Sequence, residues 1–184
     1  RRPPRSTLFP YTTLSDLPMT EQNRTKWNDR YRDDPHPRPP SAVVRRFCGR
    51  APRGPALDIA CGTGGNTALL AGKGFAVEAV DLSEVALAVV LRHTPEARTL
   101  QVDLDTYEIP ENRYTLILNI RFLNRRLFPY IKEGLAPGGM LIFESFLEPP
   151  KGHVQTFSCR DYLLRENELL HAFQIGRASC RERV

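Results

Sequence analysis

The sequence predicts an α/β fold with an open, doubly wound and mostly parallel sheet, preceded by an N-terminal helical segment. Short apolar runs that are typical of strands alternate with helical patterns between residues 55 and 174, and such alternation favours parallel βαβ units. A glycine-rich turn follows the first of these strands. The length of 184 residues, with 41% hydrophobic and 26% charged residues, suits one globular domain.

The N-terminal segment is expected to be helical. Residues 20–32 predict a polar helix with Thr20 as its N-cap, and they place Trp27 and Tyr31 four positions apart on one face. Four prolines between residues 33 and 40 predict an extended linker. Ser41 stands where it would cap a short second helix through residue 47. The linker therefore separates two short helices ahead of the sheet.

The sheet itself is predicted from five apolar runs at residues 56–61, 76–82, 99–104, 114–120 and 140–146. Helical patterns lie between or after them at residues 66–71, 83–93, 125–135 and 161–173. Ser83 is the predicted cap of the helix that it begins. Right-handed crossovers would join these strands into one parallel sheet.

The stretch ALDIACGTGGN, residues 56–66, carries the main functional signal. Gly62 and Gly64 lie where the chain turns from a strand into a helix, and glycine is needed where a ligand approaches the backbone or φ is positive. The helix amides then point at the ligand. Asp81 ends the second strand, at a position from which a carboxylate can accept hydrogen bonds from ribose hydroxyls. The pattern predicts a nucleoside-containing ligand.

These residues resemble the motifs of class I S-adenosylmethionine-dependent methyltransferases. Asp58-x-Ala60-x-Gly62-x-Gly64 is similar to their first motif, with Ala60 where a glycine often stands. AVDLS at residues 79–83 resembles their ribose-binding acidic motif, and residues 103–104 resemble their adenine-contacting pair. KWNDRY and DYLLRENELL further resemble the small tellurite-resistance-type branch. The resemblance spans nearly all of residues 19–173, although Thr115 stands where an aspartate is frequent.

The resemblance implies S-adenosylmethionine as the cofactor, with a set of binding residues at strand ends. Asp58 would face the methionine amino end, the glycine turn would pass beneath the cofactor, and Asn119 would border the transferred methyl group. The complete implied set is Tyr31, Asp58, Ala60, Gly62, Gly64, Asp81, Leu82, Asp103, Leu104 and Asn119. No catalytic residue and no metal ligand set is predicted from the sequence.

The implied function is methyl transfer to a small-molecule acceptor by direct in-line displacement, in which alignment of the reacting atoms supplies most of the catalysis. One alternative is an inactive fragment, or one that only binds the cofactor. A nicotinamide-dependent oxidoreductase is a second alternative, but its GxGxxG motif needs a glycine where Thr67 stands. A nucleic-acid methyltransferase is disfavoured because residues 119–122 read NIRF and lack the two prolines of the [ND]PP[YF] motif.

Charge and cysteine content limit the partners and the compartment. The net charge is +5, but each end of the chain carries three arginines and one acidic residue, which leaves +1 for residues 19–174. That balance offers no stripe for phosphates, and no apolar run is long enough to cross a membrane. Four cysteines without a CxxC pair favour a reducing cytoplasm. The oligomeric state stays open.

The two ends of the chain are expected to lie outside the fold. Residues 1–14 and 175–184 resemble translated sequencing-library adapters, and such segments are excluded from fold reasoning. The predicted organisation is an adapter-like tail at 1–18, one methyltransferase domain at 19–174, and a second tail at 175–184. Within the domain, residues 19–50 form the helices and linker, and residues 55–174 form an α/β core. The core is expected to be a truncated version of the fold without its last two strands.

Overall fold

The computed structural model describes residues 21–149 and 162–174. Its five strands are β1 (Pro55–Ile59), β2 (Ala76–Asp81), β3 (Arg98–Gln101), β4 (Tyr114–Ile120) and β5 (Leu135–Glu144). They form one sheet in the order β3-β2-β1-β4-β5, and every neighbouring pair is parallel. The predicted fold class is confirmed: this is an open parallel sheet flanked by helices, with an N-terminal helix before it.

Six helices accompany the sheet within the described residues. They are α1 (Glu21–Asp33), α2 (Ala42–Phe47), α3 (Gly65–Gly72), α4 (Glu84–His93), α5 (Leu127–Gly134) and α6 (Glu168–Ala172), with a 3-10 turn at Cys48–Arg50 after α2. No helix in this part of the chain has the length and apolar character that crossing a membrane requires.

Two apolar cores lie on opposite faces of the sheet. On one face, Leu57 and Ile117 pack with α5 and α6. On the other face, Ala56 and Leu118 pack with α2, α3 and α4. Alternate residues of a strand point to opposite faces, so each central strand contributes to both cores. This accounts for the nearly continuous apolar character of the central strands, which are buried on both sides.

The sheet also determines where a ligand can bind. β1 pairs with β2 on one side and with β4 on the other, so the strand order reverses at β1. In open α/β sheets, ligands bind outside the carboxyl ends of the strands at such a reversal. The glycine-rich turn after β1 lies at this place.

Several predicted boundaries differ from the structure. β3 ends at Gln101 rather than residue 104, and β5 begins at Leu135 rather than residue 140, so it includes the Pro-Gly-Gly segment at residues 137–139. The N-cap prediction for Ser83 is confirmed by its side chain, which accepts a hydrogen bond from the Ala86 amide. Ser41 is the N-cap residue of α2, as predicted, but its side chain makes no capping hydrogen bond, because its hydroxyl instead donates to Glu144 Oε2 at 3.0 Å.

The last helix is shorter than expected, since among the described residues of the predicted range only Glu168–Ala172 is α-helical. Leu164 forms a parallel bridge with Leu147, and its amide donates to the Phe146 carbonyl at 2.7 Å. This pairing with the chain after β5 holds the preceding residues out of the helix. Some predictions lie outside the described residues. They concern the two predicted tails, the cap at Thr20, and residues 19–20 and 150–161 of the predicted domain.

Candidate functional site

Asp58 is a buried carboxylate on β1 with one unsatisfied oxygen. It is fully buried, and its Oδ2 accepts a hydrogen bond from the Thr67 hydroxyl at 2.7 Å. Asp58 Oδ1 has no hydrogen-bond partner among the described residues. Burial, and to a smaller extent the charge of Asp81, raises the pKa of Asp58 to about 7, although the Thr67 hydrogen bond opposes the shift. A buried acceptor without a partner costs about 1–3 kcal/mol, so it marks a place where a ligand donor can bind.

Asp81 connects the glycine turn to α4. Its Oδ2 accepts from the Gly62 amide at 2.8 Å, and its Oδ1 accepts from the Ser83 amide at 2.9 Å. Burial raises the pKa of Asp81, while these backbone amides act in the opposite direction. Asp58 and Asp81 lie on neighbouring parallel strands, with Asp58 in register with Ala79. Both carboxylates therefore lie near the carboxyl ends of neighbouring strands, and their role in binding a ligand stays a prediction.

The turn after β1 has three residues with left-handed backbone conformations. The φ angles are 52° for Ala60, 53° for Gly62 and 83° for Gly64. Glycine adopts this region at no steric cost, whereas Ala60 carries a Cβ that disfavours it. Ala60 therefore adopts a backbone conformation that glycine favours, at the position where a glycine often stands in the resembled motif.

Helix α1 covers the glycine turn through Tyr31. A Cβ added to Gly62 would lie 3.0 Å from the Tyr31 hydroxyl, and burial together with the Asp81 charge raises the pKa of that hydroxyl. Asn28 fixes α1 in this position, because it accepts from the Ser83 hydroxyl at 2.6 Å and donates to Glu84 Oε1 at 2.7 Å. Asn28 was not singled out from the sequence, although it lies within the KWNDRY stretch.

The proline-rich linker is extended, as expected, but it also packs on the start of α3. A Cβ on Gly65 would lie 1.8 Å from the Arg38 carbonyl oxygen. The Arg38 amide donates to the Thr63 hydroxyl at 3.3 Å, and the Ser41 amide donates to Asn66 Oδ1 at 2.9 Å. Thr63 and Asn66, at the glycine turn, thus hold the linker in place. The proline content of the linker did not indicate this contact.

The remaining predicted site residues lie after β2 and β3 and at the end of β4. The Leu82 carbonyl accepts from Gln101 Nε2 at 3.1 Å. Asp103 Oδ1 accepts from the Asp105 amide at 2.9 Å, and Leu104 is buried in the core beside α5. Asn119 is buried on β4, and its Nδ2 donates to the Phe122 carbonyl at 2.6 Å. Gly62 contacts both Tyr31 and Asp81, whereas Asp58 contacts Thr67 of α3, and these four residues are held by other partners.

The family comparison gives the chain a class. Residues 56–139 match the family described as "Methyltransferase domain". This part of the chain is similar to methyltransferase domains, and the prediction that the chain is a methyltransferase is confirmed. No curated protein sequence matches this chain significantly. Neither comparison supports the oxidoreductase alternative.

Solved methyltransferase structures resemble this fold. A TehB-like SAM-dependent methyltransferase from Corynebacterium glutamicum is 24% identical with a TM-score of 0.53, and the match covers 67% of this chain and 73% of that one. A methyltransferase from Mesorhizobium loti is 24% identical with a TM-score of 0.52 and coverages of 57% and 52%. Phosphoethanolamine N-methyltransferase 2 from Haemonchus contortus, in complex with S-adenosyl-L-methionine, is 25% identical with a TM-score of 0.58 and coverages of 72% and 35%. The matches thus span about half or less of the second and third relatives.

Proposed function

We propose that this chain transfers a methyl group from S-adenosylmethionine to a small-molecule acceptor by direct displacement. S-adenosylmethionine is the cofactor of its methyltransferase domain, as the sequence predicted. The observation that carries the proposal is the pair of buried carboxylates at the glycine turn, with Asp58 Oδ1 unsatisfied. A ligand that bears an ammonium group at one end and ribose hydroxyls near the middle complements this arrangement of acceptors.

The residues at the turn fit this cofactor chemically. An ammonium group would satisfy Asp58 Oδ1 and would favour the ionised carboxylate. Each oxygen of Asp81 already accepts one backbone N–H, but a carboxylate oxygen has a second lone pair for a ribose hydroxyl. At Gly62, the missing side chain leaves the space that separates the turn from Tyr31. We infer that Tyr31 closes the site over the bound cofactor.

The chain's own contribution to the reaction is alignment. The bound sulfonium supplies an electrophilic methyl group. The protein has to hold that group and the acceptor in line, which can provide about 7–11 kcal/mol of barrier reduction. The two carboxylates and the turn would fix the cofactor, and α1 with the linker would limit the access of water. Asn119, at the end of β4, would border the methyl group. We assign no general base.

A small-molecule acceptor is supported by the kind of proteins that share the fold. They include a geranyl diphosphate methyltransferase with 17% identity and a TM-score of 0.59, which covers 72% of this chain. A glycopeptide N-methyltransferase with 22% identity and a TM-score of 0.51 is another. We place this domain within residues 19–174 and in the TehB-like, tellurite-resistance-type branch, on the KWNDRY and DYLLRENELL stretches.

Calorimetry with S-adenosylhomocysteine and with NAD tests the proposal. The chain should bind S-adenosylhomocysteine and should not bind NAD. Asp81→Ala should weaken binding by about 1–3 kcal/mol, because charge-assisted hydrogen bonds to the ribose are lost. Glu96→Ala, at an exposed position, is the control and should leave the affinity unchanged. Tighter binding to NAD than to S-adenosylhomocysteine would contradict the proposed cofactor.

A further inference from the structure

A tight turn after β3 orients the side chain of Asp103. The Asp103 Oδ1 atom accepts from the Asp105 amide at 2.9 Å, and the Asp103 carbonyl accepts from the Tyr107 amide at 2.8 Å. Residues 103–107, which we call the Asp103 turn, therefore form a closed hydrogen-bonded unit. One carboxylate oxygen of Asp103 is engaged within it. The direction in which the other oxygen points depends on how the whole turn is held.

Two side chains from the segment between β4 and α5 hold the Asp103 turn. Asn124 Nδ2 donates to Asp105 Oδ1 at 2.6 Å. Arg126 Nη1 donates to the Tyr107 carbonyl at 3.1 Å and to the Leu104 carbonyl at 3.5 Å. The two side chains thus contact three residues of the same short turn, Leu104, Asp105 and Tyr107, from one neighbouring segment.

Arg126 is itself fixed in place. Its guanidinium carbon lies 4.7 Å from the centroid of the Tyr130 ring, and its Nη2 lies 3.4 Å from the Tyr130 hydroxyl. The Arg126 amide also donates to Asn124 Oδ1 at 3.0 Å, which ties the two holding residues to each other. A planar guanidinium can bridge two carbonyls while it stacks on a ring, whereas a lysine ammonium cannot do both.

We propose that Asn124 and Arg126 are positioning residues that hold the Asp103 turn, so that the Asp103 carboxylate accepts a hydrogen bond from the exocyclic amino group of the cofactor's adenine. The inference rests on the proposed function, which puts the adenine beside Asp103. On this inference, the preference of the site for adenine depends on contacts between the segment after β3 and the segment after β4. Neither Asn124 nor Arg126 has to touch the cofactor for this effect.

The test compares two ligands that differ at the adenine amino group. S-adenosylhomocysteine carries the amino donor, and S-inosylhomocysteine carries a carbonyl oxygen in its place. Calorimetry on the full chain should show that the wild type prefers S-adenosylhomocysteine by on the order of tenfold, the value of a hydrogen bond to a charged acceptor. Arg126→Lys and Asn124→Ala should each reduce that preference towards equal affinity. Arg92→Lys, at an exposed position on α4, should retain it.

The ratio of the affinities for the two ligands distinguishes an effect on the position of Asp103 from a general loss of structure. A variant that is only less folded binds both ligands more weakly by the same factor, so its preference stays at the wild-type value. An unchanged preference in both variants would overturn the inference. Failure of the wild type to bind S-adenosylhomocysteine would instead contradict the proposed function. If Arg126→Lys does not fold, Asn124→Ala alone decides, because it removes a single side-chain hydrogen bond to the turn.

Discussion

At the scale of single residues, Ala60 stores backbone strain at the proposed site. Its φ of 52° costs an L-residue with a Cβ about 1–2 kcal/mol. Glycine removes this cost but loses about 0.5–1 kcal/mol more conformational entropy on folding. Ala60→Gly should therefore raise the free energy of unfolding by about 0.5–1 kcal/mol in urea titrations. Ala71→Gly, in α3, is the control and should lower it by a similar amount. If Ala60→Gly lowers the free energy of unfolding, Ala60 does not store backbone strain.

Asp58 gives stability a distinct dependence on pH. Its pKa is raised from 3.8 to about 7 in the folded chain, so between these values the folded state binds more protons than the unfolded state. Stability contributed by this group is fully present below pH 4 and is lost as the pH rises towards 7. The difference in unfolding free energy between wild type and Asp58→Asn should change over this range in that direction. The lowered pKa values of Glu84 and Glu168 change stability with pH in the opposite direction. Because the wild type and Asp58→Asn share these two residues, their effect cancels in the difference.

Individual residues of the site were predictable to the extent that they are part of local patterns. Asp58, Gly62 and Asp81 follow from strand ends and a glycine turn, which lie close together in sequence or in neighbouring strands. Thr67 and Asn28 were missed as partners of the site. Asn28 contacts Ser83 across 55 positions of the chain, and no periodicity or spacing indicates a contact of that separation.

At the scale of elements, the linker and α3 depend on a glycine at residue 65. A Cβ there would lie 1.8 Å from backbone, which cannot be accommodated without moving the linker. Gly65→Ala should lower the unfolding free energy by about 1–3 kcal/mol, as overpacking does, and should weaken binding of S-adenosylhomocysteine. Gly72→Ala in the same helix meets nothing within 4 Å. It should stabilise the protein by up to about 1 kcal/mol, because alanine favours helix. Equal effects of the two substitutions would contradict the role of the linker.

The elements that the sequence predicted well are those whose own residues determine them. β1, β2 and α4 have apolar runs bounded by a cap or a glycine, β4 is a seven-residue apolar run, and the observed bounds of all four are close to the predicted ones. The helix predicted for residues 161–173 was too long, because contacts with distant residues compete with its helical pattern. Arg125 binds Glu168 through Nε and Nη2, at 2.5 and 3.0 Å, and also donates to the Leu163 carbonyl at 2.9 Å. These contacts and the bridge to Leu147 favour an extended chain before α6.

At the scale of the whole molecule, the two faces of the sheet are organised differently. Asp58 accepts from Thr67 of α3, and Asp81 accepts from the Gly62 and Ser83 amides, so their partners lie within 19 positions along the chain. The chain after β4 is held by Arg125 and Arg126, whose partners lie up to 43 positions away. The proposed contacts of Asp58, Gly62 and Asp81 could therefore be predicted from motifs. The packing of the chain after β4 depends on long-range contacts that a single sequence does not specify, and the motifs do not identify an acceptor.

Surface exposure around β5 leads to a prediction about self-association. Within the described residues β5 pairs with β4 alone, and an edge strand with unpaired backbone groups can pair with another chain. Phe146 and Leu147, just after β5, are 45% and 38% exposed, which adds an apolar surface beside this edge.

Phe146→Lys should place a charge there and oppose the approach of a second chain. Sedimentation velocity over a range of concentrations should show association of the wild type that this variant reduces. Leu91→Lys is the matched control, since Leu91 is 46% exposed on α4, and it should leave association unchanged. A wild type that stays monomeric throughout, or an equal effect of both lysines, would show that the β5 edge does not drive contacts between chains.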